Sequence, residues 1–141
     1  MLEVVNHQRK IKFDVKLFRE FSRKAIEITS EVNGKTATIA FVSDRKMRSL
    51  NKTFRGRNST TDVLSFPFKA DEFETGEDNL GDIVVSVEQA QKQASENNLD
   101  FEAEIKQLIL HGILHLCGYD HETDAGEMNR RELELRDKLG I

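Results

Sequence analysis

One cysteine, one proline and no apolar run approaching twenty residues set the first limits on this 141-residue chain. A single cysteine excludes an intramolecular disulfide framework. The missing apolar run excludes an ordinary transmembrane helix, and the N-terminal residues lack the apolar core of a secretory signal, so a cytoplasmic location and no membrane partner are expected. Pro67, the sole proline, cannot donate to a sheet ladder, which puts its strand at a sheet edge or ends the strand there. Internal repeats and low-complexity linkers are absent too, and 38% hydrophobic content suffices for one ordinary core, so a single domain over 1–141 is expected.

A formal charge of -4 gives no general sign of affinity for nucleic acid. The charges are segregated, however. Arg45, Lys46, Arg48, Lys52, Arg55 and Arg57 occur without an intervening acid, whereas Asp71, Glu72, Glu74, Glu77, Asp78 and Asp82 crowd a later loop and its exit. That pattern suits one cationic face on an otherwise acidic protein, or simply a solvated helix face.

Hydrophobic periodicity predicts an α+β domain with a mixed sheet of about four strands and four or five helices. Strands are expected at Leu2–Val5, Thr36–Val42, Val63–Phe68 and Leu80–Val87. Helices are expected from an Asp14 cap to Glu31, from a Ser43-Asp44 cap to about Phe54, over Glu88–Asn97, over Phe101–Cys117 and over Thr123–Leu139. Met128, Leu133, Leu135 and Leu139 should turn the last helix toward the core. In Phe101–Cys117 the side chains are apolar nearly all round, with Ile105, Ile109, Gly112 and Leu116 on one face and Leu110, Ile113 and Cys117 on another. Such a helix is buried.

His111 and His115 occupy a third face of that helix. Residues four apart share a face, so both imidazoles can reach one ion. Gly118 can end the helix in a left-handed conformation and swing Tyr119, Asp120 and His121 back toward it. Three histidines from eleven consecutive residues therefore make a candidate metal site at the end of a buried helix. Three protein ligands leave a position open for water or substrate, the catalytic arrangement for zinc, and Cys117 reads as a small apolar residue rather than a fourth ligand. Each histidine alone could be an ordinary hydrogen-bonded residue, but that reading leaves their common register unexplained. His7, the fourth histidine, reads as structural.

The H-x-x-x-H-x-x-G-x-x-H spacing is that of metzincin peptidases, but Gly112 stands where they carry the glutamate that serves as general base. Peptide hydrolysis is therefore disfavoured. Glycine in a helix interior costs about 1 kcal/mol relative to alanine. Its purpose here is either close packing of the helix on its neighbour or open space beside the metal.

The string HGILHLCGYDH (111–121), with FRGRNSTTDVLSFPF (54–68) and LGDIVVS (80–86), closely resembles the YbeY family of bacterial rRNA maturation factors. The three blocks keep that family's order and span most of the chain. The resemblance implies a single-strand-specific, metal-dependent endoribonuclease acting in rRNA maturation, notably at the 16S rRNA 3′ end, and in ribosome quality control. Zinc is the metal it implies, with His111, His115 and His121 as ligands and Arg55 as the functionally important arginine. Ribosomal or small-subunit proteins are the expected partners beside single-stranded RNA and rRNA; DNA is not expected.

Arg55 offers a planar guanidinium fork for charge developing on phosphorus, although it could equally be an ordinary phosphate-positioning or surface arginine. Arg48, Lys52 and Arg57 would track an RNA backbone, or merely confer solubility. Asp120 would orient a ligand imidazole, or cap the turn. Two other classes compete: a ribosome-binding assembly factor whose metal is mainly structural, and a different metal-dependent hydrolase.

Overall fold

The computed structural model describes residues 2–68 and 78–141. Of the predicted acidic loop, Asp71, Glu72, Glu74 and Glu77 lie outside the described residues. Four strands, β1 (Glu3–Asn6), β2 (Thr36–Val42), β3 (Val63–Pro67) and β4 (Asn79–Ser86), form one sheet in the order β1-β2-β4-β3. β1, β2 and β4 are parallel, and β3 runs antiparallel to β4 at the edge. Pro67 therefore sits on an edge strand, where its missing N–H costs no ladder bond.

Five α-helices are described: α1 (Val15–Ile28), α2 (Asp44–Arg55), α3 (Val87–Glu96), α4 (Phe101–Leu116) and α5 (Glu127–Leu139). Short polar side chains start four of them, as the sequence predicts for two. Asp14, Ser43, Ser86 and Asp100 each accept a hydrogen bond from a backbone N–H of the first turn. Two boundaries differ from expectation. α1 ends at Ile28, where Thr29 turns to extended backbone (φ -90°, ψ 96°), and gives way to a 3-10 turn over Ser30–Val32; the Thr29 hydroxyl donates back to the Ala25 carbonyl at 2.6 Å. α5 starts only at Glu127, because both Asp124 carboxylate oxygens hold the backbone before it, accepting from Gly126 N at 2.9 Å and Met128 N at 3.0 Å.

Alternation along the strands assigns the two faces of the sheet. Ala37, Ile39 and Phe41 of β2 with Ile83 and Val85 of β4 pack against α1 (Phe18, Phe21, Ala25) and α4 (Ile105, Ile109, Ile113, Leu116). On the opposite face Val42, Leu64, Phe66 and Val84 pack against Met47 and Leu50 of α2. β3 thus separates the two layers, with Val63 turned toward the α4 side and Leu64 and Phe66 toward α2.

The faces of α4 differ in detail from the sequence reading. Ile113 belongs with the sheet-facing residues, and Leu110 instead joins Leu114 against Met128 and Leu135 of α5. Leu133 is corrected as well: it is 53% exposed. The stripe of α5 that faces α4 runs Met128, Glu132, Leu135, Leu139, and a carboxylate fills the place of an apolar residue.

Gly112 is explained by packing. A Cβ at this position would lie 2.8 Å from Cγ2 of the fully buried Ile83, so its absence lets α4 approach β4 directly. The Ser65 hydroxyl then reaches the Gly112 carbonyl at 3.4 Å, joining β3 to α4. No described helix is long and apolar enough to cross a membrane.

Candidate metal centre and cleft

His111 and His115 lie in the last two turns of α4. Their Nε2 atoms are 3.1 Å apart, aimed at a common point. The helix then closes through Gly118, at φ +99°, whose N–H donates to the His115 carbonyl while Tyr119 N–H reaches back to Leu114 O at 3.1 Å. This reversal, the kind only glycine adopts cheaply, brings His121 round. One ligand atom from each of the three histidines lies within 4.8 Å of the others. His111 and His115 are half-buried and His121 is exposed, so the cluster is open on one side.

Each helical imidazole is held through its other nitrogen. His115 Nδ1 lies 2.9 Å from the Tyr119 carbonyl, and His111 Nδ1 lies 3.1 Å from Oε1 of Glu132 on α5. A carbonyl can only accept, which fixes His115 with its proton on Nδ1 and a lone pair on Nε2; Glu132 imposes the same tautomer on His111. Burial, reinforced by neighbouring His111, pushes the His115 pKa below the usual imidazole range. The donor set therefore fits a metal ion: three imidazole nitrogens, two with their orientation prescribed from behind.

Glu132 keeps its charge against burial, which by itself would raise its pKa; the His111 hydrogen bond and nearby Arg136 together carry it below the usual carboxylate range. Arg136 donates to Oε2 of Glu132 at 3.3 Å. The Tyr119 loop is fastened from another direction. Its phenol donates to Oε2 of Glu31 at 2.7 Å, and Arg131 of α5 grips both oxygens of Glu31 at 2.8 Å. Chiefly because of Arg131, the Glu31 pKa is lowered to about 2.

The sequence reading missed Glu132. Its signal was present in the α5 stripe, where an acid occupies a core-facing position. Asp120 is found capping its turn, its Oδ1 accepting from Glu122 N–H at 3.0 Å; the orienting contacts to the helical imidazoles come from Glu132 and Tyr119 instead. Cys117 is half-buried, and burial pushes its thiol up to about 11, so it stays protonated at neutral pH. Asp82 is exposed on β4 opposite Phe66.

Arg55 ends α2 on the other wall of the same cleft. The cleft, of about 700 Å³, runs along the free edge of β3 and is lined by Phe54, Arg55, Asp62, the β3 residues, the three histidines and the loop from Gly118 to Glu122. α2 is fixed at both ends. At its start the Asp44 carboxylate accepts from Ser86 Oγ at 2.6 Å, Thr60 Oγ1 at 3.0 Å and Gln89 Nε2 at 2.9 Å. Near its finish Asn51 Nδ2 donates to the Ser59 carbonyl at 2.9 Å. Arg48, Lys52 and Arg57 are exposed but do not line the cleft. Arg48 and Lys52 share the helical face of Arg55 by spacing.

An α+β domain with three convergent imidazoles at the end of a buried helix, beside an arginine in an open cleft, is the class these observations define. The family model described as endoribonuclease YbeY matches residues 3–140, and the chain belongs to that family. Endoribonuclease YbeY of Alkaliphilus metalliredigens is 38% identical over 99% of this chain and 96% of its own length. The Clostridioides difficile endoribonuclease YbeY is 45% identical over 74% of this chain and 71% of its own. Among solved structures, TM1509 from Thermotoga maritima superimposes with a TM-score of 0.69 at 31% identity, covering 99% of this chain and 89% of that one.

Proposed function

We propose that this protein is a single-strand-specific, zinc-dependent endoribonuclease that matures ribosomal RNA at the 3′ end of the 16S molecule and takes part in ribosome quality control. The convergence of His111, His115, His121 and Arg55 on one open cleft carries this reading. Membership of the YbeY family supports it.

His111, His115 and His121 would hold the ion through imidazole nitrogens, a donor set that also accepts nickel, copper or cobalt. A bound divalent ion supplies Lewis acidity, polarising a phosphoryl oxygen and lowering the pKa of water toward neutrality. The chain's own groups do the rest. Glu132 and the Tyr119 carbonyl hold two imidazoles in register. Arg55 presents its fork to the phosphate, binding its non-bridging oxygens and stabilising charge that develops on them. Arg48, Lys52 and Arg57 draw the flanking backbone along the α2 face without reading sequence. Gly112, in place of a carboxylate, leaves no general base of the peptidase kind. A role in rRNA maturation implies a cytoplasmic location and small-subunit ribosomal proteins as partners.

Cleavage of a single-stranded RNA by wild type, His115→Ala and Arg55→Glu, with metal content read on the same samples, tests the proposal. Metal lost only in the histidine variant and cleavage lost in both variants is the expected result. Equal cleavage by all three would refute it.

A further inference from the structure

Phe54 is 63% exposed, more than any other large apolar side chain among the described residues. Isolated exposed apolar residues are common and carry no message alone. This one differs in its surroundings. Phe54 lines the cleft beside Arg55, and its ring meets that of Phe66 edge to face, with centroids 5.3 Å apart and an interplanar angle of 67°. Phe66 is itself seated on the apolar cluster between the sheet and α2. The Phe54 ring thus rests against a second ring, yet most of it faces solvent in the cleft.

We propose that Phe54, backed by Phe66, is a stacking platform for one unpaired nucleobase next to the phosphate bound at Arg55. The inference rests on the ribonuclease reading above and adds to it a base subsite and a physical origin for single-strand preference. Aromatic faces accept any base, and stacking on them is a general means of holding single strands. A base in a duplex already stacks on its neighbours and must be pulled out before Phe54 can receive it, whereas an unpaired base pays no such cost. Charge selects the occupant. Arg55 lines the same cleft as the ring, and Arg48 and Lys52 continue the helical face of Arg55, an arrangement suited to a polyanion carrying planar rings.

The test is kcat/KM for cleavage of a single-stranded RNA and of a series in which one base at a time is removed, using wild type, Phe54→Ala and Phe54→Trp. Phe54→Ala should lower kcat/KM roughly tenfold or more, mainly through KM, with metal content and circular dichroism unchanged. Phe54→Trp, which keeps an aromatic face, should lose markedly less than Phe54→Ala. One abasic position should reproduce the loss in wild type and add nothing in Phe54→Ala. Wild-type cleavage with Phe54→Ala unaffected, or with losses that add at every abasic position, overturns the platform while leaving the ribonuclease reading intact. A wild type that neither cleaves nor binds RNA overturns both.

Discussion

Oε1 of Glu132 lies 3.1 Å from Nδ1 of His111, joining the C-terminal helix to the end of the buried helix that carries two of the three clustered imidazoles. The contact fixes the tautomer that leaves Nε2 free. Glu132→Gln keeps the shape but removes the charge, and partners of this kind typically account for 10–100-fold in metal affinity. A loss of about that size in zinc affinity is expected, with the fold retained. Competition against a chromophoric chelator measures it; unchanged affinity would remove Glu132 from the site.

Acid should loosen the Tyr119 loop. The Glu31 carboxyl has its pKa lowered from 4.5 to about 2 in the folded protein. Its contribution is therefore fully present above about pH 4.5 and is lost as pH falls toward 2. Glu31→Gln should destabilise the protein by about 1.5–3 kcal/mol at neutral pH, the range for hydrogen bonds to charged groups. The variant should also lose less stability than wild type between those pH values. Urea unfolding at several pH values checks both points.

Gly112→Ala should be destabilising although alanine is the better helix former. The added methyl would press on Ile83 at 2.8 Å in a fully buried contact. Overpacking of this kind costs about 1–3 kcal/mol, at least matching and over most of that range outweighing the gain of about 1 kcal/mol in helix propensity. Thermal unfolding measures the balance. A raised melting temperature would show that α4 and β4 separate easily and that close packing is not the reason for the glycine.

RNA binding should weaken with salt. Each phosphate neutralised on a single strand contributes about 0.7 to the slope of log K against log salt. Charge removal at Arg48 or Lys52 should lower affinity and reduce that slope, whatever the RNA sequence. A slope unchanged in both variants would assign these residues to solubility alone.

Much of this architecture was legible in the chain because the informative features were local. Four-residue spacing put His111 and His115 on one face, Gly118 marked the reversal that returns His121, and Pro67 marked the edge strand. Features that depended on distant packing were not legible. Leu133 has the chemistry of a core residue, but the stripe of α5 is set by its angle against α4, which buries Glu132 nearby instead. The partner of Glu31 is a hundred positions away at Arg131, and no periodicity announces it. Gly112 left two explanations open until Ile83 was seen beneath it. Asp120 has the chemistry either to orient an imidazole or to cap its turn, and the sequence could not choose; in the structure its Oδ1 accepts from Glu122 N–H.

The most direct test of the account is to strip the purified protein with a chelator, confirm the loss of metal, and follow cleavage of one RNA in single-stranded and duplex form while zinc is restored. Single-strand cleavage should vanish on stripping and return as zinc approaches one ion per chain, with the duplex left uncut. Undiminished cleavage by protein shown to be metal-free would contradict it.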